Sequence, residues 1–224
     1  MQNKLTIREE DLFNNPVPRV PIALVLDTSS SMTGAPIDEL NSGVKMFYEE
    51  ILNNEYTKPS AEVCIVKFDS SAQCLCNFEN IERQQVPTLT AYGSTSMDQG
   101  VNLALEKLQA AKDLYKSSGV SYYQPWMVLM TDGQPTEDIT KSVNQTQQLI
   151  KDKKLVVFPI GIGDQASMST LSRYSPDRQP LKLQGLKFSD FFIWLSESVT
   201  RVSQSMPGDK ITLDTDAIKD WAQL

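Results

Sequence analysis

The sequence contains no histidine, and only three of its 224 residues are cysteines. Without imidazole, neither a Ser-His-Asp nor a Cys-His catalytic arrangement can form, and neither can a zinc site that uses histidine. The chain also lacks a Gly-x4-Gly-Lys-Ser/Thr loop, which would hold the phosphates of ATP. These absences exclude several common classes of hydrolase and nucleotide-dependent enzyme.

Long apolar runs are also missing, since no segment approaches the roughly 18 residues that a membrane span requires. The first residues mix charges of both signs, whereas a secretory signal has a basic end and an apolar core. We therefore expect a cytoplasmic protein that does not enter a membrane. The net charge of −7 argues against attraction to nucleic acid or an anionic membrane, although a basic patch on one face is compatible with it.

The three cysteines, Cys64, Cys74 and Cys76, form no CxxC pair. We expect free thiols that pack as small hydrophobic side chains, with a redox or metal role as the alternative. Cys74 and Cys76 lie two apart on a predicted strand, so they should share one face of it. With a symmetric hairpin loop Cys64 faces away from them, and a β-bulge would reverse that arrangement.

An apolar run, Pro21 to Leu26, ends abruptly at Asp27 and predicts a strand that is buried on both faces. Ser29 and Ser31 follow at alternate positions. The carboxylate and the two hydroxyls place three oxygen ligands at the end of this strand, where we expect a surface crevice. Oxygen donors of this kind suit a hard cation such as Mg²⁺.

This Asp-x-Ser-x-Ser pattern resembles the metal-ion-dependent adhesion site of von Willebrand factor A (VWA) domains. Two more segments match that family in the expected order, a Gly-Ser-Thr-Ser segment with Thr95 and a Met-Thr-Asp-Gly segment with Asp132. The resemblance implies that Ser29, Ser31 and Thr95 bind Mg²⁺ or Mn²⁺ directly, while Asp27 and Asp132 bind it directly or through water. It also implies a protein partner that supplies an Asp or Glu to the open coordination position.

The amino-acid sequences of residues 26–37 and 129–136 resemble those of small bacterial VWA proteins of the TerY-like, tellurite-resistance type. This resemblance implies a stress or tellurite-resistance system in which a protein kinase and a PP2C-type phosphatase are candidate partners. It covers roughly residues 20–201. We accordingly divide the chain into an N-terminal lead-in (1–19), a VWA domain (20–206) and a C-terminal tail (207–224).

The order of apolar runs and helical periodicities predicts an α/β fold with a doubly wound, mostly parallel sheet and helices on both faces. A short loop, residues 69–72, makes one edge strand antiparallel. The strands that end at Asp27 and next to Asp132 should be neighbours at the topological switch point, where such Rossmann-like sheets bind ligands. The loop 116–125 exceeds a routine connection, so it is either a recognition surface or surface decoration.

Two alternatives compete with the adhesion site. In the first, Asp27 and Asp132 only cap the adjacent turns. In the second, the chain is a Mg²⁺-dependent phosphohydrolase, which would need a further acid or base over the metal. The nearest candidates in sequence begin predicted helices, where a capping role explains them: Asp38, Asp98 and Asp138. A haloacid-dehalogenase-type phosphatase would need an Asp where Ser29 stands. We therefore predict a binding module without catalytic residues.

Overall fold

A computed structural model describes residues 11–209, 218, 222 and 223. The described residues form one sheet with the strands β1 (Val20–Asp27), β2 (Ala61–Phe68), β3 (Ala72–Cys76), β4 (Trp126–Thr131), β5 (Val156–Gly161), β6 (Leu181–Leu183) and β7 (Ala222–Gln223). The helices are α1 (Ala35–Leu52), α2 (Met97–Ser117), α3 (Thr140–Lys151), α4 (Met168–Tyr174) and α5 (Phe188–Ser203), with 3₁₀ turns at Ser30–Met32 and Ile81–Arg83. Residues 11–14 are also helical.

The sheet has the strand order β3-β2-β1-β4-β5-β6-β7. All neighbours pair in parallel except β3 and the two-residue β7, which are antiparallel at the two edges. The predicted fold class is confirmed. Strand β1 lies between β2 and β4, with Leu24 opposite Ile65 on one side and Val128 on the other. The chain leaves β1 in one direction and β4 in the other, so the predicted switch point lies between them.

Two apolar cores lie on the two faces of the sheet. Every residue of β1 is buried, and its side chains alternate between the cores. Ile22 and Leu24 face α1 and α5, whereas Ala23 and Val25 face α2, α3 and α4. This double burial explains why β1 reads as a continuous apolar run rather than an alternating one. No helix in the described part of the chain is long and apolar enough to span a bilayer.

Helices α1 and α5 pack closely against each other because of a glycine. A Cβ added to Gly43 would lie 2.6 Å from Cδ2 of Phe192 and 3.1 Å from Cβ of Phe188. The sequence predicts these helices from apolar residues at alternating spacings of three and four, and all of those residues are buried: Ile37, Leu40, Val44, Phe47 and Ile51 in α1, and Phe188, Phe192, Leu195, Val199 and Val202 in α5. This spacing therefore identified the correct face of each helix.

The hairpin of β2 and β3 contains a bulge that the sequence analysis left open. Ile65 pairs with Cys76 and Val66 with Cys74, so Leu75 is the extra residue. The prediction that Cys74 and Cys76 share a face is wrong, because the extra residue turns them toward opposite cores. Cys64 instead faces Cys74, with 3.8 Å between the two sulfur atoms.

A buried ion pair fixes the chain at the edge where the parallel strands begin, which we call the amino edge. Arg19 and Glu62 are 0% and 1% exposed, and Nε of Arg19 lies 3.2 Å from Oε1 of Glu62. The hydroxyl of Tyr115 donates to the other carboxylate oxygen at 2.7 Å. Arg19 also donates to the carbonyl oxygens of Asn15 and Val17. The residues before β1 are thereby bound to the sheet.

Candidate metal centre

Asp27 ends β1 at the opposite edge of the sheet, the carboxyl edge, and is 0% exposed. One carboxylate oxygen accepts the backbone N–H of Ser29 at 2.8 Å, and the other accepts the hydroxyl of Thr131 at 2.5 Å. We expected Asp27 to line a surface crevice, and this was wrong, because β2, β4 and the following loop enclose it. Thr131 was overlooked as a site residue, since it reads as the last residue of a strand.

Hydroxyl groups connect Asp27's loop to the loop after β4. The Oγ atoms of Ser29 and Ser31 are 3.0 Å apart. The hydroxyl of Ser31 donates to Oδ1 of Asp132 at 2.7 Å, across 101 positions of sequence. Ser29 is 2% exposed, whereas Ser31 is open to solvent. Four of the five predicted ligand residues therefore meet around one point at the switch point.

Thr95, the fifth predicted residue, reaches the same region from the loop before α2. Its carbonyl oxygen accepts the backbone N–H of Thr136 at 3.1 Å. A Cβ added to Gly133 would lie 3.9 Å from Thr95 Oγ1, so the loops that carry Thr95 and Asp132 are in contact. Within the described residues, no hydrogen bond engages the Thr95 hydroxyl, which leaves it available to a ligand.

A glycine holds the Thr95 loop against the hairpin turn between β2 and β3. Gly93 has φ +78°, and a Cβ there would lie 2.2 Å from Oγ of Ser70. The hydroxyl of Ser70 accepts the N–H of Ser94 at 3.1 Å, and the N–H of Ser30 donates to the carbonyl of Gly93 at 3.0 Å. Only glycine fits both the backbone conformation and the space. Ser70 lies in the short hairpin loop 69–72, and no motif in the sequence marks it as a support for the Thr95 loop.

The two carboxylates of the site are held in unfavourable surroundings. Burial raises the pKa of Asp27 to about 6, against the effect of its hydrogen bonds from Ser29 and Thr131, and the charge of Asp132 raises it further. Partial burial also raises the pKa of Asp132. A divalent cation between the two groups would favour their ionised forms and offset this desolvation.

The donor set fits a small hard cation. Across the described ranges, no three His, Cys, Asp or Glu side chains come together at one metal-sized site. Any metal here must therefore use hydroxyl oxygens together with the two carboxylates. Two carboxylates balance the charge of a divalent ion, and neutral oxygen ligands suit Mg²⁺ or Mn²⁺ rather than a thiophilic metal.

Two of the three carboxylates proposed as acids or bases for a hydrolase are engaged elsewhere. Asp98 accepts the N–H of Ser142 at 3.0 Å and the amide of Asn102 at 2.6 Å. Asp138 accepts both the N–H and the hydroxyl of Thr140, at 3.0 and 2.6 Å. Asp38 lies in the first turn of α1. Asp138 thus has the role that its position near a helix start suggested, whereas Asp98 holds the first turn of α3 rather than that of its own helix α2.

The sequence model of the family "von Willebrand factor type A domain" matches residues 22–182, which include all the site residues just described. The chain belongs to this family. VWA domains often mediate metal-dependent protein binding through such a site. A protein of Synechocystis sp., "Uncharacterized protein sll0103", is 24% identical over 168 residues, which are 72% of this chain and 37% of that protein. The chain therefore spans little more than a third of that relative.

Solved structures share the fold of this VWA chain at low identity. The vWF domain of the pilus tip protein Mfa5 from Porphyromonas gingivalis has a TM-score of 0.64 and 13% identity over 88% of this chain and 99% of that one. A von Willebrand factor type A protein from Catenulispora acidiphila gives 0.61 and 14%, over 82% and 43%. Mussel byssus proximal thread matrix protein 1, solved "with zinc occupied MIDAS motif", gives 0.55 and 16%, over 81% and 48%.

Proposed function

We propose that this VWA domain is a protein-binding module that holds Mg²⁺ or Mn²⁺ and engages an acidic side chain of its partner through the metal. The observation that carries the proposal is the 2.7 Å contact between Ser31 and Asp132. It joins the loops after β1 and β4 at the topological switch point, with Ser31 open to solvent. A capping role for the two loops does not require such a contact.

Each ligand residue has a separate part in this proposal. Ser29, Ser31 and Thr95 supply neutral hydroxyl oxygens, and Asp27 and Asp132 supply the charge. The bound metal supplies a coordination position that attracts one more carboxylate. The buried hydrogen bonds of Asp27 keep its loop in place. Helix α1 begins shortly after Ser31, and its positive end favours an incoming anion at this edge.

We extend the proposal to the cellular setting on the resemblance of the motifs alone. The sequences of residues 26–37 and 129–136 resemble the corresponding segments of TerY-like proteins. On that basis the partner is a protein kinase or a PP2C-type phosphatase in a bacterial stress or tellurite-resistance system, and the protein is cytoplasmic. The domain binds and does not catalyse, which is supported by the capping roles of Asp98 and Asp138.

The decisive experiment measures the affinity for a kinase or phosphatase encoded beside this gene. We expect EDTA, Thr95→Ala, and loss of one Asp or Glu on the partner each to weaken binding. An interface that depends on one desolvated charge contact loses about 2 to 5 kcal/mol on truncation, which is roughly thirtyfold to several-thousandfold in affinity. Combined changes should add little, because they disable the same contact.

Asp164→Ala serves as the matched control, because Asp164 follows the neighbouring strand β5 but its side chain is 90% exposed. Binding that is indifferent to EDTA, to Thr95→Ala and to the partner's substitution contradicts metal-mediated adhesion. The phosphohydrolase alternative is separated by turnover of a generic phosphate ester with Mg²⁺. We expect none, and turnover that disappears in Asp132→Ala would establish the hydrolase instead.

A further inference from the structure

A cavity of about 1040 Å³ opens at the amino edge of the sheet, at the end opposite the metal centre. It lies where β4 and β5 begin and where α2 and α5 end. Basic side chains from three separate parts of the chain line it, with a single acidic residue, Asp209, among them. The basic residues are Lys112, Lys116, Lys153, Lys154 and Arg178. We call this the cationic cavity.

The charge of the cationic cavity runs against that of the whole protein. The chain has 21 Lys and Arg against 28 Asp and Glu, a net charge of −7. Five basic residues and one acidic residue give the cavity lining a balance of +4. An acidic composition does not by itself produce a local excess of positive charge. The basic patch that the sequence allowed despite its negative net charge is therefore present at this edge.

Ordinary structural roles account for two of the five basic residues. Lys116 lies in the last turn of α2, where a cation interacts favourably with the helix dipole. Lys154 pairs with Asp152 at 3.1 Å. Neither role explains Lys112, which lies more than one turn before the end of α2.

Lys112 is 7% exposed, and it lines the cavity without a partner. In the described part of the chain, its ammonium group makes no hydrogen bond and no ion pair. Burial lowers the pKa of Lys112, and the charges of Lys116 and Lys154 lower it further, against the smaller opposing effect of Asp113. The alkyl stem of Lys112 is covered by protein, while its ammonium group reaches the cavity close to the like charges of Lys116 and Lys154. An anionic ligand in the cavity would offset the repulsion among these three lysines.

The walls of the cationic cavity are fixed before any ligand arrives. Trp126 and Tyr123 are 4% and 5% exposed. The hydroxyl of Tyr123 donates to the carbonyl of Ser205 at 2.6 Å. The guanidinium of Arg178 lies 4.7 Å from the centroid of the Phe158 ring. The loop 116–125, which sequence analysis singled out for its length, thus supplies one wall of a preformed pocket.

We propose that the cationic cavity binds a small phosphate-bearing organic anion, such as a nucleotide or a sugar phosphate. Its volume matches pockets for small organic ligands and exceeds what a single inorganic ion would fill. Lysine ammonium groups and an arginine bind phosphate through charge-assisted hydrogen bonds. Long nucleic acids are disfavoured, because the net charge of −7 repels an extended polyanion.

The test is calorimetric titration of the full chain with ATP, glucose 6-phosphate and pyrophosphate at low ionic strength. EDTA is present throughout, so the metal centre plays no part and the result is independent of the proposed function. We expect at least one of the two organic phosphates to bind more tightly than pyrophosphate. Lys112→Met should weaken that binding about tenfold or more, and Lys112→Arg should largely restore it.

Lys45→Met is the matched control, because it removes the same charge from an α1 side chain that is 70% exposed. It should change the affinity less than about twofold, since an exposed charge this far away is screened. If Lys112→Met does not fold by circular dichroism, the exposed Lys153→Gln takes its place. The proposal is overturned by a lack of binding at millimolar ligand, by equal losses in Lys112→Met and Lys45→Met, or by tighter binding of pyrophosphate than of both organic phosphates.

Discussion

At the scale of single residues, Asp27 is a fully buried carboxylate, and its neighbours stabilise the charge by hydrogen bonds. Its two carboxylate oxygens accept a backbone N–H and the Thr131 hydroxyl. These bonds partly replace lost water, yet burial still raises its pKa to about 6. A buried carboxylate with no positive charge beside it and a raised pKa is typical of a functional site rather than of a stabilising contact.

The hydroxyls that support the site depend on tertiary register, which a single sequence does not contain. Four of the five predicted ligand residues stand at or just after strand ends, and Thr95 was assigned through the family resemblance. Thr131 bonds Asp27 because β1 and β4 pair with Leu26 opposite Met130. Ser70 touches Gly93 because the hairpin turn folds back on the Thr95 loop. Neither contact can be predicted from the spacing of residues along the chain.

The thiols give a residue-scale prediction that follows from the bulge at Leu75. Cys64 and Cys74 have sulfur atoms 3.8 Å apart, and a hydrogen bond from Cys64 lowers the pKa of Cys74. A lower pKa favours the reactive thiolate. We expect diamide, which accepts the two hydrogen atoms, to form a Cys64–Cys74 disulfide while Cys76 stays free.

Peptide mapping under non-reducing conditions identifies the bond. Cys74→Ser should abolish it, and Cys76→Ser should leave it unchanged. A bond between Cys74 and Cys76 would mean that the bulge is absent and that the two thiols share a face after all.

At the scale of elements, periodicity predicted helix faces well and strand irregularities poorly. In α1 the apolar spacing is set by one face against the sheet, a local property. The bulge in β3 depends instead on how Cys74 and Cys76 match β2 across the hairpin. A shift of one residue in strand pairing moves every side chain of the strand to the opposite face of the sheet. The predicted side-chain directions in the hairpin were therefore less secure than those in α1.

The contact between α1 and α5 predicts a stability effect at Gly43. Gly43→Ala should destabilise the domain by about 1 to 3 kcal/mol, because the added methyl group would press on Phe192 and Phe188. Ser42→Ala is the control, since Ser42 is the exposed neighbour on the same helix. It should change the free energy of unfolding by under about 0.5 kcal/mol. Urea unfolding measures both, and equal effects would show that the helices do not touch there.

At the scale of the whole molecule, the two edges of the sheet have opposite chemistry. The carboxyl edge collects two carboxylates and three hydroxyls, while the amino edge carries the cationic cavity and the Arg19–Glu62 pair. Parallel strands separate the two edges by their full length, since β1 runs from Val20 to Asp27. Sequence predicted the first edge, because its residues follow strands in recognisable motifs. It did not predict the second, whose basic residues come from three separate parts of the chain, within α2, after α3 and before β6.

Metal binding at one edge should stabilise the whole domain, because the loops of β1, β4 and α2 join only in the folded state. At a Mg²⁺ concentration a hundred times the dissociation constant, the gain is about 2.7 kcal/mol. For a domain of this size, the midpoint of thermal unfolding should then rise by about 5 to 10 °C. The half-buried Asp132 is the residue to remove, and Asp132→Ala should unfold at the same temperature with Mg²⁺ or EDTA. Asp164→Ala should keep the full shift, and an equal shift in both variants would place the cation elsewhere.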